Sequence, residues 1–181
     1  MEALIGFSRQ LDALRRAGHE VIDVPFADLL GPYAELLAHN LTVNRYELAG
    51  THAKWFDEHR EHYRPETVAG IELGRSISGS VYAEAHDHLD RLRAGLDDRF
   101  AAAGVDLLVA PSALGAAPVG IDSTGDPAMA MPWTYAGVPA VSLPGATTAV
   151  GLPLGFQLIA PAGSDEALLA AAATLEPVLG P

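Results

Sequence analysis

The residues able to do acid–base or metal chemistry concentrate in one stretch, THAKWFDEHREHY, from Thr51 to Tyr63. It carries His52, His59 and His62, with Glu58 and Glu61 close by and Lys54, the chain's one lysine. On a helix His59 and His62 are neighbours and His52 lies two turns back, a spacing at which side chains can share a metal's ligand sphere. The alternative is a solvated face of mixed charge. No second segment supplies matching ligands, so the solvated face is preferred and no metal is expected. His86-Asp87-His88 is weaker still, because helical residues two apart point to opposite sides. Gln157 is different: it interrupts the apolar run LGFQLIA, where an amide must find partners. Either it ties neighbouring backbone or it reaches an active centre, and the structural role is preferred.

Gln157 belongs to the region around which the chain is organised, Asp106 to Pro161. Three apolar runs occur there, Asp106–Ala110, Val138–Leu143 and Leu154–Ala160, each too short for a stable helix and closed by proline or glycine. They read as buried strands, and their lack of alternation predicts cover on both faces, as in the middle of an α/β sheet. Two loops dense in Gly, Pro, Ser and Thr separate them, the usual place for a binding surface. Asp126 is positioned to cap a short helix beginning at Pro127, and Ser164 to cap a helix over Ser164–Leu179. That last helix is rich in Ala and Leu on nearly every side, which predicts burial against the sheet or against another subunit.

Upstream, Leu4, Phe7, Leu11 and Leu14 form a helical stripe over Ala3–Ala17 that Gly18 closes, and Val21–Val24 reads as a strand ending at Pro25. From Asp28 to Tyr63 the pattern is helical in two pieces, with Asp28 and Thr51 as caps and a break at Gly50-Thr51. A short helix follows from Pro65 to Leu73, then a long one from Ser80 to Ala103 with Val81, Ala85, Leu89, Leu92, Leu96 and Phe100 in a stripe, about 36 Å long at ~1.5 Å per residue.

A resemblance can now be named. Asp106-Leu107-Leu108 with Pro111, Ala117-Pro118, Gly125-Asp126, Trp133-Thr134, Gly137 to Pro144, and Gly151 to Leu158, followed by Asp165-Glu166 and Leu168-Leu169, resemble in order and spacing the C-terminal third of the amidase signature family. These are serine amidohydrolases that include a component of the glutamyl-tRNA amidotransferase. The segment from Gly125-Asp126-Pro127 to Trp133-Thr134 is closer to the general amidases. The resemblance implies an α/β fold, the C-terminal part of a mixed sheet flanked by helices, with residues 1–181 forming the C-terminal portion of one amidase domain. It also implies hydrolysis of a small-molecule amide by two serines and a lysine, the lysine acting through one serine on the other, without a cofactor. No catalytic residue is carried over to this chain. Lys54 lies in a charged helical context, and Gly74 to Ser80, with Tyr82 and Ala85 after it, matches a later family pattern between two helices. The catalytic half is therefore expected N-terminal to Met1, and Met1 to fall inside a fold.

On the same resemblance the loop from Ser112 to Ala136 lines the acyl side of the substrate pocket. Trp133 would be an apolar wall, and Thr134 and Ser112 polar contacts. The competing reading makes Trp133 a core residue joining loop to helix, and both stay open. Gly125, Gly137, Gly145, Gly151 and Gly155 read as turn or close-packing positions.

Composition bounds the partners. A net charge of −12 argues against a nucleic-acid backbone or an anionic membrane surface. Cysteine is absent, which removes thiol and disulfide chemistry. No run approaches the ~20 apolar residues of a membrane span, and no signal peptide is visible, so a cytoplasmic protein is expected. Charged residues are only 19% against 49% hydrophobic, as in a piece of a larger core. A homodimer or a complementing N-terminal half is the expected protein partner, and a non-catalytic subunit or remnant is the alternative function.

Overall fold

The structure, a computed structural model, describes residues 2–180. They form two compact units, one comprising the chain up to Leu29 and from Arg93 onward, the other Leu30–Leu92.

The first unit is a three-stranded antiparallel sheet with helices. Strands β1 (Leu108–Pro111), β2 (Ala140–Thr147) and β3 (Pro153–Ile159) take the order β1-β3-β2. The register sets Val109 and Val141 against Leu158, Leu143 against Phe156, and Ala110 and Ser142 against Gln157. A bulge lies between Pro144 and Ala146. Helix α1 (Glu2–Arg16) and helix α7 (Asp165–Leu179) cover one face. Leu14, Leu168, Ala172, Leu175 and Leu179 pack there on Leu143, Phe156 and Leu158, and the rings of Phe7 and Phe156 stack at 5.3 Å. Burying such side chains is worth about 1.5–3 kcal/mol each. The expected cover on both faces holds for β3, where Phe156, Gln157, Leu158 and Ile159 are all buried. It does not hold for β1 and β2, which flank β3 as edge strands and are partly exposed. Helix α7 likewise buries a single stripe, and Leu169 on its outer side is 60% exposed.

Three sequence expectations change here. Val21–Val24 forms no strand; no described strand pairs with it, and Val21 is held by side-chain packing against the same core. Asp28 lies inside the one-turn helix α2 (Ala27–Leu30) rather than ahead of it, where its carboxylate takes a two-pronged hydrogen bond from Arg99. Ser164 precedes α7 without a side-chain cap; its carbonyl accepts from the amide of Leu168 instead. By contrast, Asp126 caps the 3-10 turn Pro127–Met129 through Oδ1, 2.9 Å from the amide of Ala128. That turn leads into α6 (Met131–Ala136).

The second unit consists of α3 (Tyr33–Thr51), α4 (Pro65–Ser76) and the start of α5 (Gly79–Ala103). The helical break falls at Gly31-Pro32, ahead of α3, and the helix expected from Thr51 to Tyr63 is absent: turns and a 3-10 turn (Arg60–His62) replace it. The cause is local. Trp55 Nε1 donates to His52 Nδ1, and the Tyr63 hydroxyl lies 2.7 Å from the same nitrogen. On a helix those eleven residues would span ~16 Å. Phe56, fully buried, takes the guanidinium groups of Arg60 and Arg75 against its ring at 5.3 and 4.7 Å. Between α3 and α5, Tyr46 stacks on Tyr82 and His39 on His88, each at 4.2 Å.

Candidate functional site

Strand alternation sorts the first unit's sheet into two chemistries. Phe156, Leu158, Leu143, Val109 and Val141 project into the helix-covered core. The register sends Ser142, Gln157 and Gly155 to the other face, and Ser112, whose amide bonds the Gly155 carbonyl at 3.0 Å, continues β1 alongside.

On that face Ser112 Oγ and Ser142 Oγ lie 2.6 Å apart, one donating to the other. The two serines stand on opposite edge strands, so their hydroxyls meet by crossing over β3. Gly155 permits this: a Cβ built there would come within 2.5 Å of both oxygens. Beside the pair, Gln157 is 6% exposed and its Oε1 is buried without a hydrogen-bond partner. Such an orphan is costly and calls for a reason.

Trp133 and Thr134 sit together on α6 and point apart. Trp133 is buried, edge-on to Phe26 at 6.4 Å, with its indole N–H unpartnered, whereas Thr134 is exposed. Helix α6 is held at its C-terminus by Arg93, whose Nε donates to the Ala136 carbonyl at 2.7 Å, and by Gly137 in the left-handed region with φ 66°. The ring contact of Trp133 matches the core reading, and the polar grouping on the sheet gathers around Ser112 instead. Ser142 was not singled out by sequence reasoning. The signal was present in the period of two, since Ser142 occupies the phase opposite Val141 and Leu143.

No charged side chain hydrogen-bonds either serine among the described residues, so the pair has no base to ionise it. Lys54 is exposed, in the second unit. The Gly74–Ser80 run is the junction of α4 and α5, with Ser76 Oγ donating to the Leu73 carbonyl and Ser78 Oγ paired with Ser80 Oγ at 2.9 Å. Nor do any three His, Cys, Asp or Glu among the described residues gather as a metal site. Protonation shifts fall in the second unit and around Asp28. The hydrogen bond to Glu47 raises the Tyr82 phenol, and burial, then His39, lowers His88. Arg99 holds Asp28 below the usual carboxylate range. No described helix is long and apolar enough to cross a membrane.

Comparison with known proteins places this arrangement. A family model described as Amidase matches residues 3–169. The chain is 30% identical over 195 residues to the amidase-type component of the glutamyl-tRNA(Gln) amidotransferase of Neisseria meningitidis, covering 94% of this chain and 40% of that protein. To 6-aminohexanoate-cyclic-dimer hydrolase of Paenarthrobacter ureafaciens it is 32% identical over 128 residues, 60% of this chain and 26% of that one. A crystal structure of an amidase superposes with a TM-score of 0.83 at 29% identity, over 99% of this chain and 42% of the other. The chain thus spans about 40% of the length of relatives that match it nearly end to end.

Proposed function

From the premise that the chain belongs to the amidase family, we propose that it is the C-terminal portion of an amidase domain that hydrolyses carboxylic amide C–N bonds. The catalytic trio of two serines and a lysine is supplied outside these 181 residues. The lysine accepts a proton through the first serine, the second serine attacks the amide carbon, and the amine leaves before water releases the acid. This chain contributes sheet and a pocket wall: Ser112 from the sheet face, with Trp133 and Thr134 on α6 bounding the acyl side. The substrate is a small-molecule amide, the compartment the cytoplasm, and the protein partner a polypeptide carrying the complementing half of the fold.

The observation that carries this reading is a family match over nearly the whole chain that leaves some 60% of each relative unmatched. Two features support it. The Ser112–Ser142 pair lacks a base, and β1 and β2 each leave one edge without a partner strand among the described residues, the kind of edge that another polypeptide pairs with. The base-free pair also favours a second reading, a non-catalytic subunit or binding remnant.

The test is ammonia release from a panel of linear amides. The purified chain should be inactive alone and should gain activity when mixed with a polypeptide comprising the remaining part of the family fold. Turnover by the chain alone would overturn the placement of the catalytic residues. A mixture that forms a complex but stays inactive would favour the non-catalytic reading.

A further inference from the structure

The polar face of the sheet has a definite hydrogen-bonding balance. Ser112 and Ser142 share one hydrogen bond, so one of their two hydroxyl protons is spent and one is left to donate. Gln157 is the direct cross-strand partner of Ser142, and its Oε1 is an unused acceptor in a side chain more than nine-tenths buried. One spare donor therefore stands beside one spare acceptor. A primary carboxamide is the complement of that pair, since its carbonyl accepts and its NH2 donates. A carboxylate is not: it offers acceptors only and would set a negative oxygen against Oε1 while leaving that atom unpaired. Access favours the same ligand. Ser142 is exposed and Ser112 half-exposed, Gly155 leaves the ground beneath them free of a side chain, and the terminal amide of a glutamine turns through a broad torsional well.

We propose that Ser112, Ser142 and Gln157 form a carboxamide-recognition subsite, which takes the amide group of a substrate in preference to the carboxylate left after its hydrolysis. It rests on the amidase reading and assigns to this chain the discrimination of substrate from product.

The experiment is a titration of the full chain, labelled with 15N, with propionamide and separately with propionate. Propionamide should shift the backbone signals of Ser112, Ser142, Gly155 and Gln157 in a saturable way, and propionate should leave them in place. Ser142→Ala, a change at an exposed position, should weaken propionamide binding about fivefold, the worth of one neutral hydrogen bond. Gln157→Leu, which removes the orphan acceptor while keeping apolar volume, should abolish the preference for the amide. The absence of saturable shifts with propionamide, or equal shifts with propionate, would overturn the proposal. Ammonia release by the reconstituted mixture is read independently: an active mixture with a silent titration removes the subsite and leaves the hydrolase, and the reverse result does the opposite.

Discussion

At Gly155 a single hydrogen atom in place of a methyl group lets two hydroxyls from opposite strands meet. Replacing it with alanine brings the new Cβ within 2.5 Å of Ser112 Oγ and Ser142 Oγ and 2.9 Å of Ser112 Cβ. The serines must then part or the strands must shift. Overpacking of this kind costs about 1–3 kcal/mol. Gly155→Ala should therefore lower the urea midpoint with an unchanged denaturant slope, and an unaltered midpoint would mean that the strands yield freely there. Leu158, fully buried on the other face, tests the opposite fault. Leu158→Ala leaves a cavity under α1 and α7 and should cost about 2–5 kcal/mol by the same measurement.

At the scale of elements, the seam between α3 and α5 is built from paired rings, and one pair responds to acid. His88 is half-buried and stacked on His39. Its proton is disfavoured by burial, then by His39 and Arg91, and favoured by Glu35. Its folded-state pKa thus lies below the ordinary value of about 6.5. The unfolded chain binds the proton more readily, so stability is complete above the ordinary range and is lost as pH falls toward the folded-state value. His88→Phe keeps a ring in the stack and should flatten the dependence of the urea midpoint on pH between about 7 and 5. A wild-type midpoint that does not move over that interval would remove His88 as the cause.

On the scale of the whole molecule, charge and sheet edges act against each other. The net charge of −12 keeps copies apart, while the outer edges of β1 and β2 have no strand beside them among the described residues and invite pairing. Self-association should therefore rise with ionic strength, as screening removes the repulsion over ~8–10 Å, and fall when a complementing polypeptide covers the edges. Sedimentation velocity at low and high salt measures both effects. Association that weakens with salt would point to ion pairs between copies instead.

Local pattern determined much of this protein. The stripe of Leu4, Phe7, Leu11 and Leu14 specified α1, the spacing from Ala85 to Phe100 specified α5, and the three short apolar runs specified the strands, because helix and strand periods are properties of neighbouring residues. The cap at Asp126 and the family itself were legible for the same reason. Tertiary structure alone decided the rest. Val21–Val24 has strand composition but no pairing partner, the segment from His52 to Tyr63 has helical composition but folds back on its own side-chain hydrogen bonds, and Trp133 was decided by its contact with Phe26. The meeting of Ser112 with Ser142 depends on register, bringing together residues thirty positions apart over a glycine from a third strand. Which residues share a face follows from local alternation, but which strands lie side by side is set by the packing of the whole core.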